Sequence, residues 1–348
     1  MDLITKKRLW VYVAIAYGVT LVMSVFMYIG YARQIDLTAF VNTQMMYPAC
    51  GAILGRLLVK EDDDKLPMAG YITILVTTAI MMLISLVSIF VYVAPVNVLG
   101  QDIGFWNLMT QYPIMIGSIV LLVLFWTCGK EKRAKNGLAL SNIKTGIILI
   151  LVFTALLIGR IFIGVFMEDL ISGTHDSIGK LVARFTDIGF LINFALLPFN
   201  FFFVFIAFFG EEYGWRYFLQ PEMQKRFGKR LGVVLLGLVW AVWHLDADLM
   251  YYTDKDGPQM FAIQLITCIA MAIFFGYAYM KTGNIWVPVV MHYLNNNVVA
   301  LVSGQSGSLS GQSVSWADVP VAAISFIVFL MFIFMPVFSS GKSDKANK

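Results

Sequence analysis

The chain has 348 residues, of which 59% are hydrophobic and 13% charged, with a formal net charge of +4. Against the roughly 25% charged residues of an ordinary soluble domain, this composition excludes a soluble globule and points to an all-α, polytopic transmembrane bundle. So small a charge, spread without one basic patch, argues against nucleic acid as a partner, and Cys50, Cys128 and Cys268 lack the spacing of a disulfide framework or thiolate metal site and read as apolar packing residues.

The segment "MDLITKKR" leads into an apolar run to Ala32. That run is about twice the length of a signal h-region and has no small-residue cleavage site, so it reads as a retained first span. With about 20 apolar residues needed to cross a core of roughly 30 Å, about ten spans are expected. Their limits are 9–32, 38–59, 68–94, 108–128, 145–167, 188–210, 231–250, 259–280, 285–302 and 319–338. The second is interrupted by Asn42, Gln44 and Arg56, the fourth by Gln111 and Pro113.

The excess of Lys and Arg in cytoplasmic loops orients such a bundle. With the amino terminus inside, "ITKKR", "VKEDDDK", "KEKRAK", "KRFGKR", "MKTG" and "GKSDKANK" all fall on the cytoplasmic side, and "VAPVNVLGQD", "DADLMYYTDKDG" and "SGQSGSLSGQS" fall opposite, with Lys180 and Arg184 in the loop after span five as partial exceptions. Both termini are therefore expected in the cytoplasm of a multi-pass protein of the cell membrane. The organisation expected is an N-terminal extension over 1–140 with about four spans, a core over 141–340, and a cytoplasmic tail over 341–348. With no soluble domain and no linker longer than Ser303 to Ser315, function must reside within or between helices.

The stretch "FFGEEYGWRYFLQP" sets Glu211, Glu212 and Arg216 directly after an apolar run. Each ionisable group costs about 2.5–3.5 kcal/mol at a helix centre, so the three must face protein or trapped water. His244 in "LVWAVWHLD" and His292 in "WVPVVMHYLNNN" are also in apolar surroundings, and Asn296 follows His292 on the same helical face. At 1.5 Å per residue, Glu211 and His244 lie about 21 Å from the turn "KRFGKR". His292 and Asn296 lie about 17 and 23 Å beyond Lys281, so four polar groups on three helices share one depth. Glu212 and Arg216 can pair as i and i+4, which leaves Glu211, about 100° away, free to turn toward the histidines. A carboxylate base beside imidazoles can deprotonate water, and an amide can donate to a developing oxyanion.

"EEYGWR", "WAVWH" and "HYLNN" resemble the three motifs EExxxR, aromatic-xxx-His and HxxxN of the CAAX-protease and bacteriocin-processing family of intramembrane proteases, which includes the type II CAAX prenyl endopeptidases. The resemblance spans about Gly210 to Asn297. Trp240 stands where the family more often has Phe, and the N-terminal half carries none of the motifs. The resemblance implies that Glu211 and His244 activate a water, that His292 and Asn296 bind the oxyanion, and that Glu212 and Arg216 form a supporting pair. Both metal-dependent and glutamate-dependent mechanisms are described for the family. HExxH is absent, yet Glu211, His244 and His292 could hold a divalent metal such as zinc with an open position. The expected partners are a peptide or membrane-protein substrate and the lipid bilayer.

The rival readings are a non-catalytic membrane scaffold or bacteriocin-immunity protein, and a transporter using buried Glu and His as a proton relay. The transporter fits less well, because no paired broken helices recur in the two halves. His175 reads as a solvated loop residue. Arg56 and Arg160 read as snorkelling or structurally paired, and Asp246 and Asp248 as the solvated start of a loop, with a supporting contact to His244 as the alternative.

Overall fold

The computed structural model describes residues 2–61, 65–98, 100–173, 176–304 and 310–339. His175 and the tail at 341–348 lie outside the described residues. The fold is all-helical apart from a hairpin of β1 (Val96–Val98) and β2 (Gln101–Ile103), paired antiparallel with Val96 opposite Ile103.

Seven helical runs are long and apolar enough to cross a membrane: Leu3–Ala32, Met68–Phe90, Phe105–Thr127, Ile143–Ser172, Ile188–Phe227, Lys229–Met250 and Gly257–Thr282. The chain is thus an integral, multi-pass membrane protein. Of the other three expected spans, two are divided and one is a helix of the expected extent. The second breaks at Met45 and Met46 into two short helices, with Pro48 at the start of the latter. The ninth is a continuous helix, Trp286–Ser303, whose hydropathy is lowered by His292 and three consecutive asparagines. The tenth is divided at Phe326 and again before Pro336.

The chain forms two compact units, one of residues 1–139 with 199–218, the other of 140–198 with 219–348. In the first unit, α1 (Leu3–Val13) continues through a π segment, Ala14–Val19, into α2 (Thr20–Ala32). The broken second span supplies α3 (Thr38–Gln44) and α4 (Tyr47–Leu58), and α1 packs on α4. Then come α5 (Met68–Phe90), α6 (Phe105–Thr127) and the short α7 (Lys130–Lys135). The polar residues of α3 are satisfied by its neighbours: Asn42 donates to Thr110 Oγ1 of α6 at 3.1 Å, and Ser85 of α5 donates to the Ala39 carbonyl at 2.9 Å. Pro113 sits inside α6 without ending it, as membrane helices tolerate.

The second unit starts with α8 (Ile143–Ser172) and α9 (Ser177–Thr186). The chain runs through α10 (Ile188–Glu212), which crosses between the units at Pro198, and through a second π segment, Tyr213–Leu219. It then forms α11 (Gln220–Phe227), α12 (Lys229–Trp243), α13 (Leu245–Met250), α14 (Gly257–Thr282), α15 (Trp286–Ser303), α16 (Asp318–Ser325) and α17 (Ile327–Met331). Gly228, at φ 81°, makes the turn between α11 and α12 that the basic run predicts. A Cβ on Gly237 would stand 2.6 Å from Ile269 Cα, so α12 and α14 pack backbone to backbone. α15 is held at both ends. Asn284, just before it, donates to the Ser141 carbonyl at 2.9 Å, and Arg184 of α9 donates from Nε and Nη2 to the Leu301 carbonyl at 3.1 and 2.9 Å. The Arg160 guanidinium lies 4.4 Å over the Phe326 ring, a cation–π seat.

Candidate active site

In the first unit the acidic motif ends α10 and enters the π segment. Glu211 is 2% exposed, and Glu212 and Arg216 are fully buried. Arg216 Nε donates to Glu212 Oε2 at 2.8 Å, the i to i+4 pair that the sequence spacing predicts. Such deep burial is possible because Gly210 and Gly214 let the backbone close on the break between α3 and α4. A Cβ on Gly210 would stand 2.5 Å from the Met45 carbonyl oxygen, and one on Gly214 would stand 2.3 Å from Pro48 Cβ. This is the small-xxx-small approach used by membrane helices.

Aromatic rings fix the other faces of this segment. Phe209, Tyr213 and Tyr217 stack in a ladder, with centroids 4.8 and 4.5 Å apart at 22° and 15°. Tyr12 stacks on Phe218 at 4.8 Å and meets Trp215 edge-on at 6.0 Å. Sequence spacing predicts an uninterrupted α-helix here, whereas the helix widens to π geometry at Tyr213, immediately after the carboxylates. One-turn π segments are uncommon and concentrate at functional sites.

In the second unit α12 ends at Trp243, and its end orients an imidazole. The His244 N–H donates to the Ala241 carbonyl at 2.9 Å, and the Trp240 carbonyl is met instead by His244 Nδ1, also at 2.9 Å. A carbonyl only accepts, so in this hydrogen bond Nδ1 is the donor. Cys268 Sγ lies 3.8 Å from the same Nδ1, so this cysteine touches the histidine rather than serving only as apolar filler. His244 and His292 are 9% and 5% exposed, and the Trp240 ring lies 5.9 Å from the first and 5.6 Å from the second. Phe275 of α14 backs His292 at 6.1 Å. The indole noted as a departure in the second motif is thus the common neighbour of both imidazoles. One turn beyond His292, Asn296 accepts at Oδ1 from Asn295 Nδ2 at 3.0 Å, which leaves its own amide N–H groups as the donors it can offer.

Asp248 departs from the sequence reading. It is fully buried, one turn after His244, and its N–H donates to the His244 carbonyl at 2.9 Å. The helix restarts at Leu245, so Asp248 is drawn into α13 rather than into a solvated loop. Asp246 is partly exposed and accepts from the Ala247 N–H at 2.9 Å.

The six site residues therefore divide as Glu211, Glu212 and Arg216 in the first unit and His244, His292 and Asn296 in the second. Among the described residues, neither unit gathers three His, Cys, Asp or Glu side chains that could hold a metal ion. The zinc set of Glu211, His244 and His292 takes one donor from the first unit and two from the second, and no chemical step below passes through a metal.

Helices of this length define an integral membrane protein, and each unit buries ionisable groups. Residues 193–298 match the family model described as type II CAAX prenyl endopeptidase Rce1-like. That segment contains all three motifs, and its similarity to this family supports a peptidase. Comparison with curated proteins and with solved structures finds no match.

Proposed function

We propose that the chain is an intramembrane endopeptidase that hydrolyses a peptide bond in a membrane-associated or precursor peptide with a water activated by Glu211 and His244. Glu211 takes a proton from the water while the oxygen attacks the scissile carbonyl carbon, and His244 accepts a second hydrogen bond from that water at Nε2. His292 and Asn296 donate to the oxyanion. The proton on Glu211 then passes to the leaving amine as the C–N bond breaks, so no covalent intermediate is formed. Glu212 and Arg216 support the carboxylate-bearing turn without touching substrate.

The observation that carries this reading is the contact of His244 Nδ1 with the Trp240 carbonyl at 2.9 Å. That contact commits Nδ1–H to a backbone carbonyl, the arrangement that presents Nε2 as base or acceptor. The family match to residues 193–298 supports the choice of reaction, and release of a prenylated C-terminal peptide is the first substrate class to test, with leader-peptide trimming the second.

The test compares the membrane proteomes of cells carrying wild type, Glu211→Gln or His244→Ala, read as new peptide termini and as turnover of a quenched farnesylated peptide and its unprenylated twin. Termini present only with wild type, and a turnover loss of about 10²-fold or more in both variants, are expected. Undiminished turnover in either variant, with the protein inserted and folded, removes the mechanism. A protective phenotype that survives Glu211→Gln would favour the scaffold or immunity reading.

A further inference from the structure

The N-terminal half carries none of the three motifs, yet its best-satisfied polar group lies against the residues that follow the acidic pair. Asn136, at the end of α7, is fully buried. Its Nδ2 donates to the carbonyls of Lys65 and Lys132 at 2.9 and 2.7 Å. Its Oδ1 accepts from Arg56 Nη1 at 2.6 Å and from the Tyr71 hydroxyl at 2.9 Å. Both tyrosines of the aromatic ladder end here. Tyr213 lies with its hydroxyl 2.6 Å from that of Tyr71 and 3.1 Å from the Asn136 carbonyl. The Tyr217 hydroxyl accepts from Arg56 Nη1 at 2.8 Å and donates to the Lys135 carbonyl at 3.2 Å.

Two features make this more than packing. The π segment is a rare departure from α-helical bonding, found mostly as single turns at functional sites, and Tyr213 and Tyr217 are two of its seven residues. The centre of the network is also internal: Asn136, Tyr71 and Tyr213 are fully buried and Arg56 is 8% exposed, and in low dielectric the hydrogen bonds among them are stronger and costlier to lose than in water. Arg56 Nη1 is thus committed inward, to Asn136 Oδ1 and the Tyr217 hydroxyl.

We infer that Asn136 is a positioning residue: with Arg56 and Tyr71 it clamps Tyr213 and Tyr217, and thereby fixes the register of the π segment and the direction of Glu211 at its start. The N-terminal spans, on this account, are the mould for the carboxylate-bearing turn. The clamp itself stands on the geometry above, whereas its effect on catalysis rests on the peptidase reading.

The experiment uses the full-length protein in lipid nanodiscs and compares wild type, Asn136→Ala and Tyr217→Phe. Tyr217→Phe keeps the ring stack and removes one hydroxyl, which secures a folded variant. Hydrogen exchange read over residues 213–219, with α14 as internal reference, is expected to accelerate in both variants while α14 exchanges as in wild type. With the farnesylated peptide as probe, kcat is expected to fall by about 10²-fold for Asn136→Ala, with KM unchanged because substrate contacts are untouched. Exchange over 213–219 equal to wild type in both variants overturns the clamp. Faster exchange with undiminished kcat in an active protein overturns its role in positioning Glu211. A wild type without turnover on any peptide would count against the peptidase reading, and the exchange measurement would still decide the clamp.

Discussion

Glu212 and Arg216 illustrate how a residue pair survives inside a membrane helix. Each alone would be an uncompensated buried charge; together, at 2.8 Å with both side chains fully buried, they are tolerated. Removing one partner of such a pair typically costs about 3–5 kcal/mol, whereas replacing both by apolar residues of similar volume is often neutral. Arg216→Met or Glu212→Gln should therefore lower unfolding stability by about 3–5 kcal/mol, and the double variant Glu212→Met/Arg216→Met should recover most of it, as measured by denaturant titration in mixed micelles. The pair was legible in the sequence, because i to i+4 spacing survives the passage from α to π geometry. The state of His244 was not legible. It depends on α12 ending at that residue, so that its N–H turns to Ala241 and the Trp240 carbonyl is met by the imidazole. Asp248 was misread for the same reason, since a helix that restarts one residue later carries a carboxylate inward.

At the scale of elements, the decisive contact is the seat of α10 and its π extension on the break between α3 and α4. A weak second span looked like a flaw in the hydropathy pattern. In the fold that break receives Gly210 and Gly214. Gly214→Val should therefore cost about 1–3 kcal/mol by overpacking, while Gly159→Val, where an added Cβ meets nothing within 4 Å, should leave stability near wild type in the same titration. Hydrophobic periodicity located the helix but not its widening, because i to i+5 bonding leaves no side-chain pattern of its own. What could have drawn attention to it is the density of rings and glycines in "FFGEEYGWRYF".

For the whole molecule, apolar length gave the class of fold and seven of its crossings. It misjudged the segments where helices are short or divided, because hydropathy counts residues without knowing which are satisfied by neighbours, as Asn42 is by Thr110. The orientation, with both termini in the cytoplasm, is an expectation that impermeant maleimide can check. A single cysteine placed in the tail at 341–348, in a background with Cys50, Cys128 and Cys268 replaced, should label only after the membrane of intact cells is opened.

Arg184 bears on that same orientation. It stands on the wrong side of a charge-based topology, and its guanidinium grips the last turn of α15 through the Leu301 carbonyl. A cation anchored to a helix terminus answers to its neighbour, not to the field across the bilayer. Tallies of basic residues that vote on sidedness should count the lysine-rich loops and leave such anchored guanidinium groups out.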